Sequence, residues 1–174
     1  MIFGFFSANK KKINAISKSA SVSGKRTLAY DNSDYLGLAA DEGNKAKLAV
    51  KEKKYDKAWK HYHKQKSYFL KHANRSGFSP AQVLSLDSTV HEQMANVLRL
   101  EGKHEQGLTD IVYWICANSD KSIKRHDSKF KSYFDRCKFE NTDVGDAFSE
   151  VKRVKGLAEY TVARSIVAQW AKRG

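Results

Sequence analysis

The chain has 174 residues, 41% of them hydrophobic and 11% aromatic, which is enough to bury a core and excludes a wholly disordered polymer. One proline and ten glycines are too few for a turn-rich sandwich or barrel, and two cysteines, Cys116 and Cys137, cannot build a disulfide framework or a cysteine zinc site. Charge is the outlier, with 32 Lys and Arg against 19 Asp and Glu, a formal +13.

The first thirty residues hold six basic groups and no acid. Lys10, Lys11, Lys12, Lys25 and Arg26 belong to this stretch, and residues 7–33 are rich in Ser, Lys, Asn and Gly with little periodicity. They read as an extended basic arm, with one short helix near Lys12–Ser19, preceding a single all-α domain over 34–174. The apolar opening Met1-Ile2-Phe3-Gly4-Phe5-Phe6 is short and its lysines follow it, the reverse of a secretory signal. No span approaches the roughly 18 apolar residues of a membrane helix. The expectation is a cytoplasmic protein with reduced thiols.

From Ser33 onward helical periodicity dominates. The first helix is expected over 34–52, with Leu36, Leu38, Ala39, Ala46, Leu48, Ala49 and Val50 as its apolar positions. A second is expected over 55–74, where Tyr55, Ala58, Trp59, Tyr62, Phe69 and Leu70 make the apolar face. Lys53, Lys57, Lys60, Lys64 and Lys71 recur at helical spacing as a separate stripe, whose mutual repulsion the helix tolerates at a few tenths of a kcal/mol per pair. Nine basic and two acidic residues between 49 and 76 make this the second concentration of positive charge. Gly77 is expected to cap the helix in the left-handed conformation, and Ser79-Pro80 to open a third as N-cap and first turn.

The third helix carries Val83, Leu86, Val90, Met94, Val97 and Leu98 and stops at Gly102. A fourth spans about 104–118 with Leu108, Ile111, Val112, Ile115 and Cys116 inward, the thiol belonging to the core. Asn118-Ser119-Asp120 is read as the cap of a fifth helix over 120–137. A sixth runs over 143–155, and a last, Leu157–Lys172, turns Tyr160, Ala163, Ile166, Val167 and Trp170 inward. The fold class is therefore all-α, six to seven helices in an irregular antiparallel array or bundle.

Two adjacent-helix units share a layout. Ala46 leads through a tight turn to Tyr55 and Ala58; Ala95 leads through Glu101-Gly102-Lys103 to Gly107. Over residues 39–118 this resembles the tetratricopeptide repeat, where small residues let two antiparallel helices approach closely. The two turns lie about 49 residues apart, against roughly 34 in that family. The resemblance implies a protein-interaction scaffold rather than an enzyme.

Candidate chemistry is sparse. Arg99 and His104 resemble the active-site pattern of HEPN-type ribonucleases, small all-α domains that cleave RNA with an Arg and a His, although Leu100 stands where a polar residue is usual and Gly102 divides the pair. The resemblance implies RNA cleavage by these two residues. His61 and His63 point to different faces of one helix, so no metal site and no cofactor is expected. No glycine-rich phosphate loop and no nucleophile elbow is present. Aromatics lie beside base at Trp59, Tyr62 and Tyr68, and at Phe130, Tyr133 and Phe134 beside Lys124, Arg125, Lys129 and Lys131; their spacing assigns them to the core. The reading that follows is a non-enzymatic helical scaffold that binds an acidic partner, a protein, through the arm (Lys10, Lys11, Lys12, Lys25, Arg26) and the stripe (Lys53, Lys57, Lys60, Lys64, Lys71). The alternatives are nucleic-acid binding by phosphate neutralisation and the HEPN-like ribonuclease.

Overall fold

The structure, a computed structural model, describes residues 33–121, 123–154 and 158–173. The five cations of the arm and the short helix expected near Lys12–Ser19 lie outside the described residues. Seven helices and no strand occur among those described: α1 (Tyr35–Lys51), α2 (Tyr55–Arg75), α3 (Pro80–Leu100), α4 (His104–Cys116), α5 (Arg125–Cys137), α6 (Val144–Lys152) and α7 (Tyr160–Lys172). The all-α expectation holds, with local differences that have physical causes.

Three helices, α1, α3 and α6, start at side-chain caps. Asp34 accepts from the Gly37 N–H at 2.9 Å, and Ser79 forms a full capping box with Gln82 ahead of Pro80. Asp143 accepts from the Gly145 and Asp146 N–H groups, so it caps α6 from outside. The expected start of α5 at 120 is displaced to Arg125. Asn118 does not cap it, because its side chain is buried and engaged elsewhere: Nδ2 donates to Ser88 Oγ and to the Trp114 carbonyl, both at 2.9 Å, and Oδ1 accepts from Ser85 at 2.7 Å.

α1 and α2 form one antiparallel hairpin, α3 and α4 another, and α2 packs on α3. Apart from Glu42, the buried face of α1 is made of small residues, Ala39, Gly43, Ala46 and Ala49, while Leu36, Leu38 and Leu48, expected in the core, are exposed. Short side chains let α2 come close, and the bulkier leucines are left on the outer side. Leu70 is likewise exposed, whereas Ala58 and Tyr62 are buried as expected and Ala73 is buried with them.

The two hairpin turns follow the same backbone path. Glu52 and Glu101 sit at φ −80° and −86°, Lys53 and Gly102 at +58° and +75°, Lys54 and Lys103 at −90° and −85°. The N–H of Lys54 reaches the Ala49 carbonyl at 2.8 Å, and that of Lys103 reaches Leu98 at 2.9 Å. Ala46 and Ala95 are fully buried at matching positions. Gly107 stands where the first hairpin has Ala58, and a Cβ there would lie 3.3 Å from the Ala95 carbonyl oxygen. Each hairpin also has one carboxylate–histidine bond across it in the same register with the partners exchanged: His61 Nδ1 to Glu42 at 2.6 Å, and His91 Nδ1 to Asp110 at 2.8 Å.

α4 is the centre of the second half. It is buried without a break from Gly107 to Cys116 and packs against α3, α5, α6 and α7. Phe130, Phe134 and Phe139 gather around Trp170, whose indole N–H donates to Glu150 at 2.7 Å. Cys116 lies in this core as expected.

Candidate functional site

On α2 the lysines divide by helical angle. At roughly 100° per residue, Lys57, Lys60, Lys64 and Lys71 fall within about 60° of one another, opposite Ala58, Tyr62 and Ala73. Burial of those three against α1 and α3 therefore turns the four ammonium groups outward together. Lys57, Lys60 and Lys64 are exposed and meet no carboxylate within 4 Å. Lys71 lies over the rings of Tyr35 and Tyr68, at 5.6 and 5.5 Å from their centres. Lys53 stands apart from the helix, exposed in the α1–α2 turn.

Lys66, on the opposite side of α2, has a different role. Its Nζ lies 3.2 Å from Asp87 and 2.6 Å from His91 Nε2. Asp87 also accepts from the Tyr113 hydroxyl at 3.2 Å, and the Tyr160 ring packs 5.3 Å from that of His91. Burial opposes the charge on Asp87, but the bonds from His91 and Lys66 outweigh it and hold the carboxyl below its ordinary range. Burial also works against protonation of His91, and there the bonds to Asp110 and Asp87 prevail, raising its pKa. Burial pushes the hydroxyl pKa values of Tyr113 and Tyr160 far upward. This cluster joins α2, α3, α4 and α7 and leaves no cation over for a partner.

Of the aromatics beside the stripe one is buried and two are half-buried and stacked on neighbouring rings. Tyr62 is buried, Tyr68 stacks on Tyr35, and Trp59 stacks on His63 with its indole N–H 3.4 Å from Glu101. Phe130, Tyr133 and Phe134 are all buried. A cavity of about 450 Å³ opens between Trp59, Lys103, Thr109, Tyr160 and Arg164, and no stripe lysine lines it.

Arg99 ends α3 and His104 begins α4, so the turn at Gly102 does separate them. Arg99 Nε and Nη2 donate to Asn96 Oδ1, at 3.2 and 2.8 Å, and its side chain lines a groove with α5. His104 lines a different hollow with Lys103, Arg136 and Cys137, and its Nδ1 is buried without a hydrogen-bond partner. His61 bonds Glu42 while His63 stacks on Trp59, the divergence their spacing implies. Among the described residues no group of three His, Cys, Asp or Glu side chains is placed to hold a metal ion. No described helix is long and apolar enough to cross a membrane.

The sequence marks Arg125 and Lys129 as base beside aromatics, but not their grouping with Arg136 on one face of α5, where the three line one groove with Arg99 of α3. Its signal was present in the spacing four, three, four of Arg125, Lys129, Ser132 and Arg136, but Arg99 joins it only through the fold. No family model matches the chain, and no curated protein or solved structure matches it either.

Proposed function

We propose that this chain is a non-enzymatic helical scaffold, built on tetratricopeptide-like hairpins, that binds an acidic protein segment through the α2 lysine stripe together with the basic residues preceding Ser33. The observation that carries the proposal is the set of Lys57, Lys60 and Lys64, turned outward as a group and meeting no carboxylate. Ammonium groups left unneutralised in a row stay only because solvent screens them, and an acidic partner relieves their repulsion. The matching turns of the two hairpins support the repeat reading. An acidic protein is favoured over single-stranded nucleic acid because Trp59, Tyr62 and Tyr68 are engaged within the protein, leaving no stacking platform beside the stripe.

The test is binding of the full chain to a polyglutamate peptide and to a single-stranded oligonucleotide of equal charge, across a salt series. The triple change Lys57→Glu, Lys60→Glu, Lys64→Glu is expected to weaken peptide binding about tenfold or more, with loss of most of the salt dependence. Unchanged peptide affinity would refute the stripe. Tighter binding of the oligonucleotide, lost in the same variant, would replace the acidic protein with a phosphate backbone.

A further inference from the structure

A second cationic surface has a different construction. On α5, Arg125, Lys129, Ser132 and Arg136 fall within about 60° of one another at roughly 100° per residue, and α3 sets Asn96 and Arg99 against that row. Between the helices lies an open groove of about 390 Å³.

The cations in it are held in place. Arg99 is clamped by Asn96 through two nitrogens. Arg125 grips Glu92 at 3.2 and 3.3 Å and lies 5.6 Å from the centre of the Trp114 ring. Lys129 reaches the same carboxylate at 3.5 Å. Arg136 Nη1 bonds the Ser132 hydroxyl at 2.8 Å and the Ser132 carbonyl. Arg99 and Arg136 are thus anchored by neutral groups and meet no carboxylate within 4 Å. Glu92, buried, is the one acid paired with this set.

From this geometry we propose that the α3–α5 groove is a phosphate-binding site for a small ligand carrying a diphosphate. Guanidinium forks fixed by neutral acceptors are pre-organised for planar, bidentate recognition of phosphate oxygens, and little side-chain entropy is lost on binding. Four cations against one carboxylate leave three positive charges, and one phosphoryl group supplies about 1.5 to 2 negative charges, so two groups balance the site. The volume lies at the lower end of the roughly 300–1,000 Å³ of small-molecule sites. Tyr133, the aromatic lining the groove, is buried at the ring, so bases of a polymer find nothing to stack on. This site is independent of the α2 stripe: different helices supply it, and three of its four cations are arginines.

The test is calorimetric titration of the full chain with pyrophosphate and with orthophosphate at low ionic strength. Pyrophosphate is expected to bind saturably and more tightly than orthophosphate. Arg136→Gln, at an exposed position whose loss leaves the core intact, and Arg99→Lys, which keeps the charge and removes the fork, should each weaken pyrophosphate about tenfold. The double change Lys60→Gln, Lys64→Gln should leave that affinity unchanged, and circular dichroism should be helical throughout. Absence of saturable binding in the parent protein would overturn the proposal. So would an equal loss in the α2 variant, which would mean a diffuse response to net charge. Displacement of pyrophosphate by a tighter-binding oligonucleotide would overturn the small-ligand assignment.

Discussion

The hairpin turns permit a mirrored test of backbone strain. Lys53 and Gly102 occupy the same place in equivalent turns, both with positive φ, yet one carries a side chain. A left-handed conformation costs a residue with a Cβ roughly 1–2 kcal/mol, whereas glycine enters it without that penalty. Replacing Lys53 with Gly therefore relieves strain, but it also frees the unfolded chain, which gives back about 0.4–1 kcal/mol. Strain relief wins, by about 0.5–1 kcal/mol. Gly102→Ala inverts both effects, and nothing lies within 4 Å of the added Cβ, so no clash confuses the result. Lys53 is exposed and makes no ion pair within 4 Å, so its removal breaks no bond. With a urea slope of about 1–3 kcal/mol per M, Lys53→Gly should raise the unfolding midpoint by roughly 0.4 M and Gly102→Ala should lower it by a similar amount, the slope unchanged. Midpoints that moved in the same direction would refute the equivalence of the turns.

Trp170 is fully buried among three phenylalanines, so Trp170→Ala should cost about 3–5 kcal/mol and lower Tm by roughly 6–20 °C; a scanning calorimetry shift under about 3 °C would contradict that packing. His91 is the group to follow against pH. It faces Lys66 of α2, Asp87 of its own helix, Asp110 and Tyr113 of α4 and Tyr160 of α7, and its pKa is raised in the fold. A raised folded value means its stabilisation is complete below the unfolded value of about 6.5 and declines as pH rises through the folded one. The urea-midpoint gap between the parent protein and His91→Gln should accordingly narrow with rising pH; a gap that widened would reverse the assigned sign. His126, which burial pushes the other way, is common to both proteins and cancels. Burial raises the Cys116 thiol to about 11 and the Cys137 thiol to about 12, so native protein at neutral pH should resist iodoacetamide until unfolded; rapid native labelling seen by mass spectrometry would place a thiolate where the core should be.

Much of the helix plan was legible because caps and periodicity are local. Ser79-Pro80, Gly77 and Gly102 sit where their chemistry puts them. The stripe of α2 was legible for the same reason, since spacing alone decides which lysines share a face. What failed depended on partners distant in the chain. Asn118 reads as a cap until Ser85 and Ser88 claim its amide, and Leu36, Leu38 and Leu48 read as core until α2 settles on the alanines beside them. Nothing local pairs Lys66 with Asp87, or brings Arg99 of α3 to the arginines of α5. The α2 stripe is one helix face and was visible; the α3–α5 groove is assembled from two elements, and of its cations only Arg125 and Lys129 stood out as a group.

The unbroken burial of α4 bears on how the chain is made. A ribosome extrudes this apolar rod after α3 and before the helices that sheathe its remaining sides, and Trp170, which closes the aromatic cluster over α5, emerges some fifty residues later. Until then the nascent protein carries a sticky flank while its amino-terminal hairpin can already be formed, so slow translation or a stop codon ahead of α7 should send it toward aggregation or chaperone capture rather than toward a smaller stable product.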